Sequence, residues 1–226
     1  MGAVRFVSRS SEPFCDRAQA GRLLAEELVG YAGTQAVVLG VPRGGVIVAR
    51  EVAVALDAAL DVVLARKLGA PGNPELAIGA VAEDGRLYLH EESAAMVGAR
   101  DAYVAQELDR QRAEISRRAS LYRSVRPRVP LEGRTVIVTD DGVATGATMQ
   151  AALWTARREG ARLVVAALPV GPEQTLRKLA READELVCLR VPPFFAAVGQ
   201  FYLRFDQTQD EELLEVLQEE AGRPGT

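Results

Sequence analysis

The sequence predicts an α/β fold, with a mainly parallel central sheet carrying helices on both faces. Compact apolar runs recur at Ala36–Val41, Asp61–Arg66, Ala77–Glu83, Thr135–Asp141, Leu163–Val170 and Glu185–Val191. They are short, bounded by turn residues and rich in Val, as strands buried on both faces are. Helix-like stretches at Gly45–Leu56, Thr145–Glu159 and Glu173–Ala183 lie between several of them. Strand and helix in alternation build a parallel sheet, because each crossover between paired strands is spanned by a helix.

The remaining elements follow from local pattern. From Asp16 to Tyr31, Ala20, Leu23, Leu24 and Leu28 share one helical face until Gly30 and Gly33 stop the run. Arg157 and Arg158 before Gly160 fit a helix C-terminus with matched cations and a glycine cap. Between Arg100 and Arg123 the apolar positions narrow to a stripe of Val104, Leu108, Ile115, Ala119 and Tyr122 on an otherwise charged helix. That stripe reads as a lid, a subunit contact or an insertion helix on the domain surface. The prolines of Arg126–Pro130 then break the helix. Trp154, in mid-helix, reads as core. Near the C-terminus, Phe194, Phe195, Phe201, Tyr202 and Phe205 form an aromatic patch, and Thr208 with Glu211 resembles a capping box for a last helix.

Composition limits the function. The chain has 226 residues, 48% hydrophobic and 26% charged, with a net charge of -4. That is the make-up of an ordinary globular domain, and an acidic balance argues against a nucleic-acid coat. No apolar run reaches bilayer length, so no membrane partner is expected. The N-terminal residues lack the layout of a secretion signal, and Cys15 and Cys188 read as small buried hydrophobes, so a cytoplasmic location is expected. Lys67 and Lys178 are the only lysines.

The chemistry concentrates in Val136–Thr148. A buried strand delivers Asp140 and Asp141 to its C-terminal end, where ligands bind in open parallel sheets. Gly142, Val143, Ala144, Thr145, Gly146, Ala147 and Thr148 follow, and a helix begins. Amides at a helix start make an anion site, and the Thr145 and Thr148 hydroxyls can add donors. Two carboxylates would repel a phosphate, so they serve something else, such as vicinal ribose hydroxyls or hydrated magnesium. The reading requires these acids to face a ligand instead of being buried in ion pairs. A second strand, loop and helix at Val37–Gly45 offers another anion cradle through Arg43, Gly44 and Gly45. The stretch Arg66–Glu75 is dense in breakers and reads as irregular.

The run Asp140–Thr148 with its strand resembles the signature of type I phosphoribosyltransferases: a hydrophobic strand, two acids, small residues, Thr-Gly and a final Thr. The pattern of that family can be laid on Ala36–Val191, and on an uncharacterised branch of it in particular. The resemblance implies one domain over residues 1–226, with a helical insertion at 84–130 and a hood and C-terminal helix at 192–226. It implies that 5-phosphoribosyl-1-pyrophosphate and Mg2+ bind, and that a nucleobase or other small nitrogen nucleophile displaces pyrophosphate. Residues 140–148 would hold the ribose 5-phosphate, with Asp140 and Asp141 reaching the metal through water. Arg43, Gly44, Gly45 and Lys67 would hold the pyrophosphate, with Pro42–Arg43 as a cis bond. Lys67, Arg43 and Asp141 would be the catalytic groups. Phe195 and Val198 would receive the acceptor. Ala144 stands where 6-oxopurine enzymes carry a third acid, which points away from a hypoxanthine–guanine activity. A homodimer is the assembly the resemblance suggests, and a regulator that binds the sugar without turnover is the alternative function.

Overall fold

The structure is a computed structural model that describes residues 2–221; Met1 and the last five positions of the expected domain and hood ranges lie outside the described residues. In chain order it comprises β1 (Ala3–Ser8), α1 (Arg17–Glu26), β2 (Val37–Gly40), α2 (Gly44–Leu56), β3 (Ala59–Val62), β4 (Arg66–Ala70), β5 (Asn73–Val81), β6 (Leu87–Leu89), α3 (Glu91–Met96) and α4 (Asp101–Arg123). Then come β7 (Thr135–Thr139), α5 (Ala147–Arg158), β8 (Leu163–Val170), α6 (Glu173–Leu179), β9 (Glu185–Arg190) and α7 (Asp210–Ala221). Six strands form a parallel sheet in the order β1-β9-β8-β7-β2-β3. The expected mainly parallel sheet is therefore present.

Side-chain alternation along the strands builds a core on each face. Val38, Ile137, Val165 and Val187 point to the layer of α1, α2 and α7, where Leu24, Val48 and Leu213 meet them. Their neighbours Val37, Val136, Val164 and Leu186 point to α5 and α6, against Met149, Leu153 and Leu176. Strands buried on both faces have no polar side to show, which is why the runs read as continuous apolar segments.

Several boundaries differ from expectation. The run Asp61–Arg66 is not one strand. β3 ends at Val62, and Arg66 opens β4 in a separate antiparallel sheet, β4-β5-β6. Of the run Ala77–Glu83, residues Ala77–Val81 likewise fall in that sheet, within β5, and Ala82 and Glu83 follow it. The breaker-rich stretch is a hairpin: Ala70 pairs with Asn73 across Pro71-Gly72, and Gly72 has φ +72°. Proline followed by a glycine at positive φ is the chemistry of a tight turn, so those breakers organise pairing. β1 has no apolar signal because Val4 and Val7 are exposed on an edge strand. Cys15 is exposed, and Cys188 alone is the buried thiol. Trp154 is half-buried instead of core, its indole N–H donating to Glu182 at 2.7 Å while its ring stacks on His90.

The stripe on α4 is covered by this same chain. Ile115 and Tyr122 are buried in the core of the α1–α2 face, and the helix lies along β4 and β5. Its C-terminal end is anchored by charge. Arg123 Nη1 donates to Asp61 at 2.6 Å, and Nε and Nη2 donate to Glu83 at 2.6 and 2.7 Å. Burial raises the Asp61 carboxyl above its usual range, and Arg123 opposes that shift. Removing one partner of a buried pair strands the other charge, so Arg123→Ala should cost about 3–5 kcal/mol. Left without Arg123, folded Asp61 would bind a proton more readily than the unfolded chain, so the deficit should shrink as pH falls. Urea unfolding at two pH values reads both effects; a variant as stable as the parent at neutral pH would contradict this account.

Candidate active site

The order of strands reverses between β7 and β2. From β2 the chain moves outward to β3, and from β7 it moves the other way to β8 and β9. A crevice opens at such a switch point, beyond the carboxyl ends of the strands. Gly40 is in register with Thr139, so both strands end at one level. The loops after them, Val41–Arg43 and Asp140–Gly146, are therefore neighbours.

Their approach is close. A Cβ on Gly44 would lie 2.1 Å from Asp141 Oδ2 and 2.7 Å from Arg17 Nε. The Pro42–Arg43 peptide is cis, as the resemblance implied. In the β7 loop Ala144 and Thr145 are exposed while Val143 and Gly146 are buried, and in the first turn of α5 Ala147 is buried and Thr148 exposed. The Val143 amide is committed to Val170 O at 3.0 Å, so this residue shapes the loop from below. The helix opens later than expected. Gly146, at φ +78°, is its N-cap, and Thr145 precedes it in the loop.

The two acids are held differently. Asp140 Oδ1 accepts the Asp141 N–H at 2.8 Å, and Asp140 forms no ion pair among the described residues. Burial, and then the charge of Asp141, push its carboxyl well above the usual range. Asp141 departs from expectation, because its carboxylate is ion-paired with Arg17 Nε at 2.8 Å. Burial raises its carboxyl as well, and Arg17 holds it back. The physical reason is the cost of two adjacent carboxylates in a half-buried corner, which a cation relieves.

Arg17 had no signal in the sequence: it is one arginine among many at a helix start. Here it joins the acids to the C-terminal segment. Its Nη1 donates to Asp206 O at 2.8 Å, and its guanidinium lies 4.0 Å from the centre of the Phe205 ring. Tyr202 donates its hydroxyl to Asp141 O at 2.6 Å. Phe14 pairs with Tyr202 as an isolated parallel bridge, so the N-terminal segment also belongs to this cap. Phe195 is half-buried and stacks on Phe201 at 5.3 Å, and Val198 packs where a Cβ on Gly142 would stand. The last helix, α7, lies beside α2.

Lys67 is brought beside the first turn of α5. It is half-buried on β4 and lines a cleft of about 340 Å³ with Arg66 and Thr148. No group of three or more metal-ligating side chains occurs among the described residues. The acids offer oxygen donors that suit magnesium, which keeps much of its water shell and arrives with phosphates. The donor set fits such an ion as a partial, water-bridged site.

Gly44→Ala tests the abutment of the two loops. The added methyl must displace Asp141 or Arg17, and overpacking of this kind costs about 1–3 kcal/mol. An unchanged denaturation midpoint would mean that the loops part freely.

A family model described as a phosphoribosyl transferase domain matches residues 16–206. Two curated proteins of Mycobacterium tuberculosis, from strains CDC 1551 and H37Rv, each carry the name "Putative phosphoribosyl transferase". Each is 48% identical over 212 residues, covering 90% of this chain and 46% of its own. The chain thus spans about half the length of the curated relatives it matches. A crystal structure of a Thermus thermophilus protein shares 50% identity and a TM-score of 0.88, over 93% of this chain and 100% of that one.

Proposed function

Because the chain belongs to the phosphoribosyl transferase domain family, we propose that it is a transferase using 5-phosphoribosyl-1-pyrophosphate with Mg2+, with a nitrogen nucleophile as acceptor. The observation that carries this reading is the meeting of two loops at the β7–β2 switch point, one with exposed threonines and two acids, the other with Arg43 and glycine amides. The 5-phosphate sits against the loop at Ala144, Thr145 and Thr148, where backbone amides and hydroxyls donate. Asp140, with no ion pair among the described residues to break, takes the ribose hydroxyls, and Asp141 exchanges Arg17 for the sugar. Arg43, the amides of Gly44 and Gly45, and Lys67 hold the pyrophosphate. Magnesium, when bound, would neutralise pyrophosphate charge, with Asp140 and Asp141 orienting its water.

In the transfer, the bond from C1 to the pyrophosphate oxygen breaks and its electron pair leaves with the pyrophosphate. The acceptor nitrogen bonds to C1 and loses its proton to solvent. Negative charge grows on the leaving group, so fixed cations and amides there stabilise the transition state. Phe195, with Val198 beside the β7 loop, is our candidate wall for a planar acceptor. Residues 84–130 we read as an insertion in the family pattern, and Phe14 with residues 192–205 as the hood. Two free thiols, at Cys15 and Cys188, suit a reducing compartment, and we place the protein in the cytoplasm.

The decisive experiment incubates the protein with the pyrophosphoryl sugar, Mg2+ and a panel of purines, pyrimidines and amines. Acceptor-dependent release of pyrophosphate is expected. Saturable sugar binding without release across the panel would favour a regulatory protein, a reading to which the Arg17–Asp141 pair lends support. Asp140→Asn should weaken ribose 5-phosphate roughly tenfold or more, the worth of a charge-assisted hydrogen bond. An affinity equal to that of the parent would remove Asp140 from the sugar site.

A further inference from the structure

The charged helix α4 reaches the sugar site from above, and this inference rests on the function just proposed. A smaller cleft of about 40 Å³ adjoins the one that holds Lys67. The two share Ala65, Arg66 and Thr148. The smaller adds Pro42, Ile115 and Arg118; the larger adds Tyr103, Arg110 and Gln111. The loop after β2, the first turn of α5 and two guanidiniums of α4 therefore face neighbouring volumes. We propose that α4 supplies Arg118, with Arg110 beside it, as binding groups for the pyrophosphate end of the sugar.

The placement is built, not incidental. Helical spacing puts Gln111, Ile115, Arg118 and Tyr122 on one stripe. Gln111 and Ile115 are 6% and 2% exposed. The Gln111 amide accepts from Arg66 Nε at 3.0 Å and donates to Glu107 at 2.7 Å. A buried amide engaged on both sides ties β4 to α4 in one register. Tyr103 adds a second tie, its hydroxyl donating to Gly69 O at 2.9 Å. Tyr122, the next residue of the stripe, has its hydroxyl pushed up to about 12 by burial and by Asp210, while the charges of Arg118 and Arg43 pull the other way. Both cations thus act on one buried group.

The charge balance favours a polyanion. Three guanidiniums, of Arg66, Arg110 and Arg118, meet two carboxylates, Glu107 and Glu114. Burial lowers the pKa of Arg66, and the charges of Arg118 and Arg110 lower it further. Arg110 and Arg118 are held by Glu107 and Glu114 at 2.8 and 2.7 Å along the helix. Such pairs are weak and exchange readily. A pyrophosphate offers the planar fork of Arg118 a bidentate partner in their place.

The test measures inorganic pyrophosphate with Mg2+, and separately ribose 5-phosphate, by calorimetry on the full chain. Arg118→Gln should weaken pyrophosphate about tenfold or more while leaving ribose 5-phosphate within about twofold. Arg118→Lys should recover part of the loss, since a point charge lacks the fork. Arg117→Gln is the control, because Arg117 shares Glu114 but is 60% exposed and lines neither cleft. An unchanged pyrophosphate affinity in Arg118→Gln, or an equal loss in Arg117→Gln, overturns the inference alone. A parent protein that binds neither ligand overturns the proposed function with it.

Discussion

Two adjacent carboxylates at the end of a buried strand are the constraint to which the site answers. Asp140 and Asp141 stand where β7 leaves the sheet, and the shared register of β7 and β2 brings a second loop against them. Charge in such a corner is costly unless something compensates it. Arg17, stacked on Phe205 and bonded to Asp206 O, supplies part of that compensation. Tyr202 fixes the backbone of the same residue. The cap is therefore tied to the acids through Arg17 and Tyr202. A sugar whose hydroxyls and metal satisfy the acids would compete with Arg17 for them.

The site's framework was legible because strand ends are. A run of Val and Ile broken by Asp140 marks where burial stops, and the run ending at Gly40 does the same for Arg43. Parallel pairing then makes neighbours of loops far apart in sequence. Arg17 was not legible, since its role comes from tertiary position and no local pattern separates it from other arginines. The division of Asp61–Arg66 was hidden for a related reason. Asp61 looks like a boundary, yet it lies inside β3 because Arg123, from a distant helix, covers its charge. The hairpin across Pro71-Gly72 was misread because breakers can end structure or turn it, and composition alone does not say which.

The antiparallel sheet and α4 form one body. β4 and β5 lie on α5, and α4 lies on β4 and β5. Tyr103, Gln111 and the Arg123 cluster pin that helix at its start, middle and end. Beside the cleft that Lys67 lines, this chain carries a helix bound to its own core. Any closure would then involve a packed unit instead of a free strand of chain.

The bridge between Phe14 and Tyr202 bears on the order in which the molecule can assemble. Its hydrogen bonds, Phe14 N to Phe201 O and Leu203 N to Phe14 O, join segments from opposite ends of the described chain. Contacts of such long sequence separation form late, after the intervening loop entropy has been overcome. The loop after β7 draws on nearer partners, the Val143 amide bonding Val170 O and the Thr175 hydroxyl bonding Ala144 O. A nascent chain still lacking its last stretch could therefore set the loop after β7 before Tyr202 and Phe205 arrive to brace Asp141 and Arg17.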